Sequence, residues 1–353
     1  MSDQQVADAV RELIESYHEL NAHVVDELYE EPSPLEFMRY VAKNRPFVIR
    51  SGAAYWDALK KWNADYLKEA MKAQGVNVAI TNEGNADSAV ETSDERLVFV
   101  EPYEREEPFS QVLDQIAGQE LRGREPRVRR YAQTQNDNLR GEYTPLFSDV
   151  PADIPFARIA LEQPTGPDAI NFWLGNSYST TALHKDNYEN IYVQVLGRKH
   201  FTLMPPVESA CVNEQELPTA RYGPKDCSSE SSPDELVPDE QLRELDIKMA
   251  EGAEKVPCPL WDPDVATERT SPFSHLAKPL KVTLEPGDML YLPAMWYHKV
   301  AQSCSEEGIC VAVNYWYDMD FGGSFWSLAS FARSMGILAS VKAATGSTPE
   351  PGT

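Results

Sequence analysis

Beyond residue 96 the chain becomes a succession of short β-prone runs, and nothing else in it restricts the fold as strongly. The runs are "RLVFVEPY", "VRRYAQTQN", "AINFWLGN", "TTALHKD", "NIYVQVLGRKHFTLMPP", "LKVTLEPGDMLYLPAMWYHKV" and "GICVAVNYWYD". They are rich in β-branched and aromatic residues and are separated by Gly, Pro and Asn. Many short strands punctuated in this way build a sandwich or a barrel. One helical stretch, "PFSQVLDQIAG", interrupts them.

The flanks read differently. Val6, Val10, Leu13, Tyr17, Leu20 and Val24 recur at steps of three and four, the pattern of an amphipathic helix. "SPLEFMRYVAKN" starts a second helix, with Ser33 as its cap and Pro34 in its first turn. "RPFVIRSG" reads as a strand, "AAYWDALKKWNADYLKEAMKAQG" as one helix ending at Gly75, and "VNVAITN" as a half-buried strand. The far end, "GSFWSLASFARSMGILASVKAA", is helical and apolar, and a Ser/Thr/Pro/Gly tail follows it. The expected division is N-terminal helical and α/β elements over 1–95, a β core over 96–320, and a C-terminal helix and tail over 321–353. Within the core, the acidic segment 208–254 reads as a long loop inserted between two strands.

Charge and cysteines narrow the class. Asp+Glu number 56 against 32 Lys+Arg, a formal charge of −24. Such a field repels nucleic acid and anionic membranes and suits basic partners. The five cysteines form no CxxC and no zinc-finger spacing, which points to reduced thiols. There is no secretory pattern at the start and no run long enough to span a membrane. The expectation is a soluble protein of the cytoplasm, with the nucleus as a second compartment.

The chemistry concentrates in "TALHKDNYENIYVQVLGRKHF", where His184 and Asp186 fall on one face of a strand because side chains alternate. A metal site, a polar surface face and a buried hydrogen-bond network all produce that pattern. Two histidines and one carboxylate suit Fe(II), leaving positions open for a cosubstrate and dioxygen. His18 and His23 lie in the N-terminal helical region, His200 has the strand parity opposite to Lys199, and His275 sits in an irregular stretch. His298, in "EPGDMLYLPAMWYHKV", is the remaining third ligand.

His-x-Asp followed much later by Gly-Asp and then Pro-x-x-Trp-x-His, in a β-rich setting, resembles the jumonji-C oxygenases, which depend on iron and 2-oxoglutarate. The resemblance runs from "NRPFVIRSG" at residue 44 to "VNYWYD" at 318. The phrases "NFWLGNS", "LHKDNYENIY", "EKVPCPL" and "MLYLPAMWYHKV" are similar to a small-enzyme subgroup that includes lysyl hydroxylases. It implies a double-stranded β-helix (a jelly-roll, cupin-like core), Fe(II) on His184, Asp186 and His298, and 2-oxoglutarate and O2 as cosubstrates. By the same resemblance Lys199 pairs with the distal carboxylate of 2-oxoglutarate, Thr181 and Tyr131 hold that same end, and Asn190 and Asn314 line the pocket. Tyr192 and Trp316 are candidates for the substrate side, although Trp316, like Trp173 and Trp296, also reads as core packing.

The implied reaction is oxidation of a carbon–hydrogen bond coupled to conversion of 2-oxoglutarate into succinate and carbon dioxide. Hydroxylation of a lysine side chain is expected, and the resemblance names developmentally regulated GTP-binding proteins as the substrate class. Two alternatives stay open: a histone lysine demethylase, and a catalytically silent cupin that only binds. The C-terminal helical stretch, with Phe325, Trp326, Leu328, Phe331, Met335 and Leu338, is a candidate homodimer surface.

Overall fold

A computed structural model describes residues 3–123, 125–135, 137–225, 245–249, 252 and 254–345. Two sheets carry the functional residues. The larger has six strands, in the order Asp26–Leu28, Phe47–Ile49, Met289–Leu292, Tyr188–Leu196, Cys310–Asp318, Ala169–Gly175. The smaller has four antiparallel strands, in the order Leu280–Leu284, Arg198–Met204, Tyr297–Ser303, Thr181–Lys185. Successive strands pass from one sheet to the other, as in a cupin-like jelly roll.

The passage at Gly197 shows how tight this is. Its φ of +67° suits glycine, and a Cβ there would lie 2.5 Å from the Ser303 carbonyl oxygen. The strands it joins place Tyr192 and Phe201 in one apolar cluster with Trp173, Leu203, Leu290 and Val300. The outer face of the larger sheet packs on helices through a second core that includes Phe37, Phe47, Phe172, Tyr291 and Tyr315.

The N-terminal part is built into the β core. Phe47–Ile49 pairs with Met289–Leu292, and Arg50 bonds Asp288 at 2.6 Å, tying that strand to the Pro286-Gly287-Asp288 turn. The division expected near residue 95 falls inside a hairpin formed by Ser88–Glu91 and Leu97–Glu101. The segment expected as a loop over 208–254 has strands at both ends. Glu214–Pro224 runs parallel to Leu97–Glu101 and antiparallel to Leu245–Met249 and Lys255–Pro259. Leu217, Ala220 and Tyr222 supply its buried side chains amid many charges. Residues 226–244, the centre of the acidic insertion, lie outside the described residues.

Two helical expectations shift. The first helix is Asp3–Leu20; Val6, Val10 and Ile14 are buried, while Leu20 and Val24 are exposed. The stretch from Ala53 to Gly75 forms two short helices, Asp57–Lys61 and Ala64–Ala70. Trp62 breaks them because its indole is buried and donates to Asp149 at 3.0 Å, and Asn63 then caps the second helix through the Tyr66 N–H. Gly75 begins the next strand, Gly75–Thr81, and ends no helix. The C-terminal helix spans Phe325–Thr345, and no helix among the described residues is long and apolar enough to cross a membrane.

Candidate metal and cosubstrate site

Thr181–Lys185 lies antiparallel to Tyr297–Ser303, and His184 stands directly opposite His298. Their ring centroids are 4.1 Å apart. Asp186 follows the strand, and its backbone carbonyl accepts from the Met295 N–H at 2.7 Å, which holds the two chain segments in register. One carboxylate oxygen, Oδ2, is 3.6 Å from Nε2 of each histidine. The three ligand atoms fall within 4.8 Å of one another.

The ring orientations are fixed from behind. Nδ1 of His184 bonds the Ala182 carbonyl at 2.9 Å, and Nδ1 of His298 bonds the Trp296 carbonyl at 3.0 Å. A carbonyl only accepts, so each Nδ1 carries a proton and each Nε2 is the ring atom turned to the shared centre. Trp296 is itself anchored through its indole to Asn44.

The local charges differ along the triad. Burial raises the Asp186 carboxyl, but the two imidazoles overcome it and hold the group down at about 2. Burial lowers His298, the His184 charge adds to this, and the result is about 4. Burial would lower His184 too, yet Asp186 and the Ala182 carbonyl leave it raised. At neutral pH the site therefore offers a carboxylate and a neutral His298, the donor set a divalent ion requires.

Deeper in the barrel lies Lys199, with 1% of its surface exposed. Its Nζ donates to the Tyr131 hydroxyl at 2.8 Å, and no carboxylate among the described residues pairs with it. A buried ammonium with one neutral partner is costly, so the site fits a group that brings an anion. Tyr131 and Thr181 line the same pocket, and burial raises the Tyr131 phenol, with Lys199 opposing. Gly175 makes room for this pair, since a Cβ there would meet the Tyr131 ring at 2.8 Å.

Asn190 and Asn314 meet on neighbouring strands, Asn314 Nδ2 donating to Asn190 Oδ1 at 3.1 Å. Both line the pocket, as do Tyr192 and Trp316. Tyr192 belongs to the cluster of Tyr131, Trp173 and Phe201, at the Lys199 end. Trp316 stacks on Tyr188 with centroids 4.8 Å apart and planes 1° from parallel. His200 faces away from the cavity, bonded to Thr283 and Ser303.

Sequence reasoning passed over three residues that line this pocket, Gln135, Phe201 and Val300, and read a fourth, Trp173, as core packing alone. Strand parity is the signal that finds Phe201, two residues after Lys199. Trp173, read as core packing, also donates to Asn314 Oδ1 at 2.9 Å and so fixes that amide.

Residues 32–323 match the model of the cupin-like domain family. The chain is 37% identical to the human bifunctional peptidase and (3S)-lysyl hydroxylase JMJD7, over 87% of this chain and 89% of that protein. It is 34% identical to JmjC domain-containing protein E of Dictyostelium discoideum, over 84% of each. Lysine-specific demethylase JMJ32 of Arabidopsis thaliana is 33% identical, over 84% of this chain and 82% of that one.

Proposed function

The chain belongs to the cupin-like family, in its jumonji-C branch, and from that premise we propose that it is an iron- and 2-oxoglutarate-dependent hydroxylase of protein lysine side chains. One observation carries the reading: the His184–Asp186–His298 cluster shares one barrel with the buried Lys199, which no carboxylate among the described residues pairs with. The donor set is that of Fe(II) enzymes, and the lysine fits a dicarboxylate cosubstrate.

His184, Asp186 and His298 would hold the ion, which when bound would supply the activation of dioxygen coupled to 2-oxoglutarate decarboxylation. Lys199 binds the distal carboxylate, with Tyr131 and Thr181 orienting it. Asn190 and Asn314 form the side wall. Tyr192 belongs to the apolar floor under the cosubstrate, and Trp316 with Tyr188 forms a flat wall on the substrate side. The barrel walls exclude water from the reacting centre.

The lysyl substrate follows the lysyl hydroxylase activity of the human relative, and a developmentally regulated GTP-binding protein is the proposed bearer of that lysine. The charge of −24 suits a basic partner surface, encountered in the cytoplasm or the nucleus. Exposed Phe325, Leu328, Phe331 and Leu338 on the last helix support a homodimer through that face, while Trp326 and Met335 pack inward. Incubation with Fe(II), 2-oxoglutarate and a lysine-bearing protein should release succinate above the level without that protein. A silent cupin releases none, and formaldehyde from methylated lysine would favour the demethylase named for the Arabidopsis relative.

A further inference from the structure

His298 takes its ring orientation from the Trp296 carbonyl, so whatever fixes that carbonyl fixes the ligand. The loop 293–296 presents it, immediately before the strand Tyr297–Ser303. This loop is tight. The Trp296 N–H returns to the Pro293 carbonyl at 3.3 Å, and Met295 between them has φ +66°. A methionine is strained in the left-handed region and stays there only where its surroundings over-determine it.

The first grip comes from the turn that follows the metal strand. There the Asp186 carbonyl takes the Met295 N–H, and Glu189 Oε2 accepts the Ala294 N–H at 3.2 Å. The same oxygen accepts the Tyr291 hydroxyl at 2.7 Å. Glu189 is 7% exposed, and no cation among the described residues pairs with it. A carboxylate is costly in such a place unless its acceptor role is needed.

The second grip comes from Asn44, which ends the helix Pro34–Lys43 with φ +47°. Its Nδ2 donates to the Ala294 carbonyl at 3.0 Å, and its Oδ1 accepts from the Trp296 indole at 2.7 Å. Ala294 is therefore held at both its N–H and its carbonyl. Met295 is buried with Ala294 and Met319 against Trp326 and Ala329 of the last helix.

Resting on the metal reading above, we propose that Glu189 and Asn44 are positioning residues for His298. They clamp 293–296 so that the Trp296 carbonyl meets His298 Nδ1 and Nε2 turns to the shared centre. Neither belongs to the ligand set; each acts through the loop. Loss of the clamp therefore shows as altered ligand geometry and weaker metal binding.

Each residue also has a plainer role, since Asn44 caps a helix and Glu189 satisfies a phenol. Asn44→Gly keeps the left-handed cap, which glycine favours, and removes both side-chain bonds. Glu189→Leu removes the acceptor, whereas Glu189→Gln keeps an oxygen for both donors and removes only the charge. Variants shown to be folded by circular dichroism are titrated with Ni(II) by equilibrium dialysis, and the Co(II) absorption spectrum reports ligand geometry. Asn44→Gly and Glu189→Leu should each lose about tenfold in Ni(II) affinity and show a changed Co(II) spectrum. Glu189→Gln should stay near wild type. If Glu189→Leu does not fold, Asn44→Gly decides alone. Wild-type affinity and spectrum in Asn44→Gly overturn the clamp, and a Glu189→Gln as weak as Glu189→Leu overturns the acceptor role of Glu189. A wild type that binds no Ni(II) overturns the metal reading itself.

Discussion

Lys199 Nζ and the Tyr131 hydroxyl are 2.8 Å apart at the closed end of the barrel, and this pair is the part of the site that most needs a ligand. Lys199→Ala should raise the apparent requirement for 2-oxoglutarate by roughly thirtyfold or more, since truncating a buried charge pair costs about 2–5 kcal/mol. Metal loading should persist. Titration of cosubstrate turnover checks the first, and metal analysis of the purified variant checks the second.

Gly175→Ala acts on the same pair without touching a charge. The added methyl would sit 2.5 Å from Gln302 Nε2 and 2.8 Å from the Tyr131 ring. Overpacking of this kind costs about 1–3 kcal/mol. The melting temperature should fall, and the 2-oxoglutarate requirement should rise less than in Lys199→Ala. An unshifted requirement would mean that Tyr131 does not orient the cosubstrate.

His298→Ala and Asp186→Ala should each lose stoichiometric metal while the protein stays folded. The barrel core around Phe201, Leu203 and Leu290 does not depend on either side chain. Equilibrium dialysis against Ni(II), together with circular dichroism, separates loss of the ligand from loss of the fold.

The pH response of metal loading follows from the shifts at the triad. Asp186 and the Ala182 carbonyl hold His184 above the ordinary value of about 6.5, so below and around that pH a proton on its ring competes with the ion. His298, at about 4, and Asp186, at about 2, are already deprotonated at neutral pH. Affinity should rise with pH through and beyond 6.5 and then level off, with net proton release as the ion binds in the rising range. Measuring Ni(II) affinity in buffers of different ionisation enthalpy detects that release. A flat profile between pH 6 and 8 would contradict the assignment.

Much of the site is legible from parity alone. His184 and Asp186 share a strand face, Lys199 and Phe201 share another, and both pairs point inward. The resemblance extended this to Tyr131 and Thr181, whose meeting in one pocket no spacing reveals. What escaped reading depends on tertiary context. The break at Trp62 comes from one buried indole finding Asp149 across the fold. The strands at the ends of 208–254 are hidden because Glu214–Pro224 pairs partly with a segment more than a hundred positions earlier, at Leu97–Glu101. The turn at Gly84 is placed by a hydrogen bond from the Thr180 N–H to the Gly84 carbonyl, a contact that leaves no periodic trace.

The central claim is that this barrel places a lysine carbon at the metal and adds one oxygen atom to it. Tandem mass spectrometry of a lysine-bearing protein, incubated with Fe(II), 2-oxoglutarate and isotopically labelled dioxygen, tests this directly. The account predicts one labelled oxygen on a lysine side chain, formed with succinate and absent with His298→Ala. Loss of a methyl group from a methylated lysine, with no oxygen retained on unmethylated lysine, would contradict it.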